Sequence, residues 1–123
     1  MQIEDQVCSL ELAKRLKELG VKQESLFYRF KNENLQYLYC KYYEQYSPHV
    51  NLDIKDGYSA FTACELGEML PSECYCAKTK HERWSCCYIG DDGDDSEYCF
   101  SETEVECRAQ MLIRLIESGL VKS

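Results

Sequence analysis

Long apolar runs are missing from this chain of 123 residues. No stretch approaches the ~20 residues needed to span a bilayer, so no membrane helix is expected. The first thirty residues also lack the basic start and unbroken apolar run of an export signal, because Glu4, Asp5, Glu11, Lys14 and Arg15 interrupt every candidate. A cytosolic protein is the expectation. Histidine is scarce, with His49 and His81 the two present. Ser47 lies near one and Ser85 near the other, yet neither pair sits in a nucleophile elbow or a triad pattern. No glycine-rich phosphate loop occurs. The catalytic inventory is thin, and the chain is expected not to be an enzyme.

Positive charge is absent from one long segment. From Trp84 to Cys107 there are eight acids (Asp91, Asp92, Asp94, Asp95, Glu97, Glu102, Glu104, Glu106) and no Lys or Arg, while the rest of the chain holds fourteen of each sign. The net charge of −8 therefore resides in that segment. Phosphate binding needs the opposite sign, which argues against direct nucleic-acid binding and for a basic protein surface as partner. Read as a calcium loop, Asp91 to Glu102 would put Gly93 at the third position and Ser96 where the sixth requires glycine. A solvated, charged hairpin turn that discourages strand aggregation is the simpler account.

Cysteine, by contrast, is abundant, with nine residues: Cys8, Cys40, Cys64, Cys74, Cys76, Cys86, Cys87, Cys99 and Cys107. The odd count, the lack of an export signal and the placement of two of them in helical patterns favour free thiols acting as small hydrophobes. One cluster permits more. In Cys74-x-Cys76-x4-His81-x4-Cys86-Cys87, pairing of strands around a turn near residue 81 would set Cys76 opposite Cys86. Zinc would then need two further ligands from Cys74, His81 or Cys99, giving Cys74, Cys76, Cys86 and Cys99 as the candidate metal set. The spacing is not the paired Cys-x2-Cys of zinc ribbons. Unpaired thiols, or a cross-strand disulfide formed in air, are the alternatives.

The periodicities predict a helix from the cap Ser9 to Leu19, with Leu12, Leu16 and Leu19 buried and Gly20 as its stop. A β-hairpin follows, Leu26 to Phe30 and Leu35 to Tyr43, separated by the turn-forming Lys31 to Asn34. Its tyrosines could stack nucleic-acid bases, but no basic groove accompanies them. Rings that cover the core, or a protein-binding patch, fit better. A short strand is expected at Val50 to Ile54. A helix capped by Thr62 and Glu65 should end at Leu70, before Pro71. Three strands come next, Cys74 to Lys78, Arg83 to Ile89 and Glu97 to Phe100. A long helix then begins at the overlapping capping boxes Ser101/Glu104 and Thr103/Glu106 and ends near Gly119. This order predicts a single α+β domain, an antiparallel sheet of about five strands in hairpins covered by an N-terminal, a short middle and a long C-terminal helix. The Leu12 to Leu26 string resembles a helix-turn-helix, but the strand that follows and the acidic balance argue against one.

Two stretches carry a resemblance. Ser-Ala-Phe-Thr-x-x-Glu-Leu-Gly-Glu-Met-Leu-Pro, within Tyr58 to Pro71, and Thr-Glu-x-x-x-Arg-Ala-x-Met-Leu-Ile-x-Leu-Ile-Glu, from Thr103, are joined by the opening run Ser9 to Tyr28. Together, over about three fifths of the chain, they resemble a family of small uncharacterised proteins encoded by bacteriophages and prophages. The resemblance implies a host-cell cytosolic setting and brings no catalytic residues. With the acidic segment, it leads to the expectation of a phage-type accessory protein that binds a host protein and inhibits a defence or regulatory factor. The surface expected to do so comprises Asp91, Asp92, Asp94, Asp95 and Glu97, with Tyr37 and Tyr39. The second reading is a zinc-stabilised assembly module that pairs with itself, and a third is a small-molecule binder using a pocket beside the C-terminal helix.

Overall fold

A computed structural model describes residues 5–32, 35–40, 57–81, 83–90 and 96–122. Helix α1 spans Leu10–Glu18, and Ser9 caps it from an extended backbone by accepting the Leu12 N–H at 3.4 Å. Its last turn closes with Gly20 N–H donating to Lys17 C=O and Val21 N–H to Leu16 C=O, each at 3.0 Å. That double closure requires a left-handed residue, and Gly20 supplies it at φ 91°.

Strands β1 (Phe27–Asn32) and β2 (Leu35–Cys40) form the expected hairpin, with Tyr28 opposite Tyr39 and Phe30 opposite Tyr37. The two-residue strand β3 (Tyr58–Ser59) joins the free side of β1, giving the order β2-β1-β3. The strand expected at Val50 to Ile54 lies outside the described residues. Helix α2 (Ala63–Met69) carries a complete capping box: Thr62 Oγ1 accepts the Glu65 N–H at 3.2 Å, and Glu65 Oε1 accepts the Thr62 N–H at 3.0 Å. Leu70 is extended (ψ 146°), as a residue before proline must be.

The second sheet is a meander of β4 (Cys74–Lys78), β5 (Trp84–Tyr88) and β6 (Glu97–Ser101) in that order. The α+β class holds, and the two strands of the first hairpin and the three of the meander are present, with the short β3 added to them. They are divided between two antiparallel sheets because α2 carries the chain away after β3 has completed the first.

Helix α3 (Glu104–Glu117) ends as α1 does. Gly119, at φ 78°, donates its N–H to Ile116 C=O, and the Leu120 N–H reaches Leu115 C=O at 2.9 Å. Its start differs from expectation. Ser101 belongs to β6, opposite Trp84, so the first of the two overlapping boxes does not form and Thr103 alone caps the helix. Glu106 contributes its N–H to that cap, while its carboxylate accepts the Ser9 N–H at 2.6 Å and ties α3 to the start of α1.

Two buried clusters share α3. Val105, Ala109, Leu112 and Ile113 face Ala13 and Leu16 of α1, with Phe61 and Leu66. Cys107, Met111 and Leu115 face Cys86 and Cys99 of the second sheet. Each fully buried Leu or Phe contributes roughly 1.5–3 kcal/mol. A helix apolar on two sides is therefore the common wall of both clusters, and Val121, folded back past Gly119, packs against both.

Candidate functional site

Strand alternation and register sort the second sheet into two chemically distinct faces. On the inner face Cys76 lies opposite Cys86, and Cys86 opposite Cys99. On the outer face Tyr75, Cys87 and Tyr98 make one row, and Ala77, Ser85 and Phe100 the next. Tyr75 is 66% exposed, Tyr98 55% and Phe100 57%. Nothing among the described residues covers this aromatic face.

The phase of the β4/β5 ladder is fixed beyond the strand ends, where Thr79 N–H donates to Arg83 C=O at 2.6 Å. Opposed residues in an antiparallel ladder alternate between hydrogen-bonded and non-hydrogen-bonded pairs. Counting inward makes Cys76 and Cys86 a non-hydrogen-bonded pair, the type whose Cα atoms stand about 4.5 Å apart. Cys86 then turns its backbone groups toward β6, so Cys86 and Cys99 are the wider type, about 5.5 Å apart. The sequence-based expectation that Cys76 falls opposite Cys86 is met.

Helix α3 adds a thiol to this row. Cys107 sits under the sheet, its S–H directed at Cys99 C=O (3.3 Å) and Trp84 C=O (3.6 Å). The sequence reading omitted Cys107, although its spacing to Met111 and Leu115 marks the face that meets the sheet. Arg108 was also missed, and no local signal marks it. Its Nη1 donates to Ala63 C=O at 2.7 Å and its Nη2 pairs with Glu104 at 2.6 Å. The guanidinium lies over Gly67, where a Cβ would collide with it.

Beside these groups is a cleft of about 270 Å³ whose lining includes Cys64, Cys74, Cys76, Cys86, Pro71 and Arg108. The thiols in it differ in acidity. Burial pushes Cys74 up to about 12 and Cys99 up to about 11. Burial also raises Cys76, against a hydrogen bond from Arg108. The neighbouring Cys107 thiol lowers Cys86 in spite of its burial, with Cys76 and the Arg108 charge adding to the effect, and Cys107 is raised in turn. The cluster thus favours negative charge on Cys86, solvated by two neighbouring thiols.

The zinc set Cys74, Cys76, Cys86 and Cys99 lies in one sheet, and three of its members stand in a row across three strands. Such a row extends over two interstrand spacings, about 9.5 Å, whereas a tetrahedral ion holds every sulfur about 2.3 Å away. Among the described residues no group of three or more His, Cys, Asp or Glu is arranged to hold a metal ion. His81, the other suggested ligand, is exposed.

The proposed partner-binding residues are dispersed. Tyr37 and Tyr39 belong to β2 of the first sheet, and Glu97 to β6 of the second, where its carboxylate stands 3.8 Å from Arg114. Asp91, Asp92, Asp94 and Asp95 lie outside the described residues, in the connection between β5 and β6. Glu104 and Glu106 are engaged within the fold, by Arg108 and Ser9, whereas Glu102 is exposed. His49 and Ser47 fall outside the described residues, and Ser85 Oγ donates to Ala77 C=O at 3.3 Å. No helix among the described residues is long and apolar enough to cross a membrane. No protein-family model, curated protein or solved structure matches the chain.

Proposed function

We propose that this is a non-enzymatic accessory protein that binds another protein through the outer face of its second sheet and the acidic connection that continues from it. The observation that carries the reading is the uncovered set of Tyr75, Tyr98 and Phe100. Aromatic side chains present a large, rigid contact area, and their enrichment distinguishes protein interfaces from other surface. The connection carrying Asp91, Asp92, Asp94 and Asp95 leaves this same sheet, between β5 and β6. An aromatic patch on the sheet from which an acidic segment continues in sequence suits a basic surface. Tyrosine and phenylalanine faces attract Arg and Lys, and the acids speed encounter and fix orientation. The contact surface proposed here is Tyr75, Tyr98 and Phe100, together with the aspartates. Resemblance to phage-encoded proteins makes a bacterial host protein the partner. One that normally holds nucleic acid would present the required basic channel, which this surface would occupy in place of phosphates.

Triple replacement of Tyr75, Tyr98 and Phe100 by Ser tests the patch. The three side chains are largely solvent-exposed, so folding should change little. Binding to a partner captured from bacterial lysate should weaken by at least ~100-fold, as expected when several aromatic anchors are lost together. Isothermal titration against the purified partner gives the answer, and an affinity within a factor of three of wild type would reject the patch. Sedimentation velocity on the protein alone addresses the second reading. A dimer abolished by the same replacements would make the face a self-association surface instead.

A further inference from the structure

On the opposite face of the same sheet, we infer that Cys76 and Cys86 are a redox-active dithiol, and that the adjoining cleft admits a small-molecule disulfide of the glutathione type, which converts the pair into a cross-strand disulfide. This rests on the inner face alone and does not depend on the binding role of the outer one.

Register leaves two opposed thiol pairs on the inner face, Cys76–Cys86 and Cys86–Cys99, and access to the cleft selects the first. A disulfide needs Cα atoms about 4.4–6.8 Å apart with Cβ atoms directed toward each other. Cys76 and Cys86 are directly opposed on adjacent strands, on the same face, in the closely spaced type of pair. Cys74 faces Tyr88, and Cys87, on the outer face, lies between Tyr75 and Tyr98, so neither has an opposed thiol. Cys107 points its S–H at backbone carbonyls, and Cys99 is buried away from the cleft lining. Cys76 and Cys86 both line the cleft, Cys76 half-buried and Cys86 only 1% exposed, so Cys76 is the more accessible of the two. This is the arrangement of an attacking and a resolving thiol. Arg108, which also pairs with Glu104, donates to Cys76 and partly offsets the burial that raises its thiol, and Glu68 lines the cleft with it.

Cys86 first gives its proton to water, and the Cys76 sulfur then attacks one sulfur of RSSR while the Cys76 proton passes to the neighbouring Cys86 thiolate, giving Cys76–S–S–R and RS⁻. Cys86 then releases that proton to RS⁻, and its sulfur attacks the Cys76 sulfur of the mixed disulfide and expels a second RS⁻, which takes a proton from water. In sum, two thiols lose two electrons and two protons, and RSSR is reduced to two RSH. The oxidant is the small disulfide itself.

The full chain, reduced and then incubated with glutathione disulfide under native conditions, is digested and mapped by mass spectrometry. The expected product is a Cys76–Cys86 linkage, with no glutathione retained on either residue. Cys86→Ala should instead retain one glutathione on Cys76, since the resolving step is gone. A linkage between other cysteines would overturn the inference, as would wild-type protein modified at exposed Cys64 while Cys76 and Cys86 stay reduced. The wild-type map decides the matter even if Cys86→Ala fails to fold.

Discussion

Leu112→Ala should lower the unfolding free energy by about 3 kcal/mol, with 2–5 kcal/mol the range for a fully buried leucine truncated to alanine. Leu112 is 2% exposed and packs in the cluster that α3 shares with α1, Phe61 and Leu66. Backbone elements from both ends of the chain enclose it, so little collapse into the cavity is expected. Against a total of roughly 5–15 kcal/mol for a domain, this is a large fraction. The prediction extends past Leu112. Because α3 walls both clusters, the loss should be felt in the second one, which contains Trp84, the chain's sole tryptophan. Urea unfolding followed by Trp84 fluorescence and by far-ultraviolet circular dichroism should show both midpoints falling together. A circular-dichroism midpoint that falls while the Trp84 midpoint stays would mean that the clusters unfold separately.

Glu106→Ala should cost about 2 kcal/mol, in the range for a hydrogen bond to a charged group whose loss leaves a partly buried donor unpaired. The Glu106 carboxylate accepts the Ser9 N–H at 2.6 Å across 97 positions of sequence. The substitution is specific to that tether. The cap of α3 uses the backbone N–H of Glu106, donated to Thr103 Oγ1 at 3.3 Å, and alanine keeps it. Glu106→Gln retains an acceptor without charge and should lose about half as much. Hydrogen exchange separates this from general destabilisation, since the Ser9 amide should lose protection far more than amides in the middle of α3. Equal loss throughout would contradict the tether.

The features legible in the sequence were those set by neighbours along the chain. Ser9, Thr62 and Thr103 cap helices because a side-chain oxygen next to an amphipathic run has a donor within three residues. Gly20 and Gly119 end helices because the closing geometry needs positive φ. The opposition of Cys76 and Cys86 followed from counting back from a tight turn. What could not be read depended on distant partners. Glu106 fits a local capping box as well as Glu65 does, and only the arrival of Ser9 diverts its side chain. Division into two sheets rests on Ser59 pairing with Tyr28, thirty-one positions earlier, which no periodicity encodes. Tyr37 and Tyr39 attracted attention through composition. The exposed aromatic face emerged only when register showed Tyr75, Tyr98 and Phe100 on one side of three strands. Arg108 joins the cleft, and Cys107 the thiol row under the sheet, through the packing of α3.

The proposed partner of the acidic, aromatic surface is a basic protein. Replacing Asp91, Asp92, Asp94 and Asp95 together by Asn and titrating the result against the captured bacterial partner tests it most directly. The account predicts an affinity loss of more than ~100-fold, together with a wild-type affinity that falls steeply as salt is raised. An unchanged affinity, insensitive to salt, would contradict it.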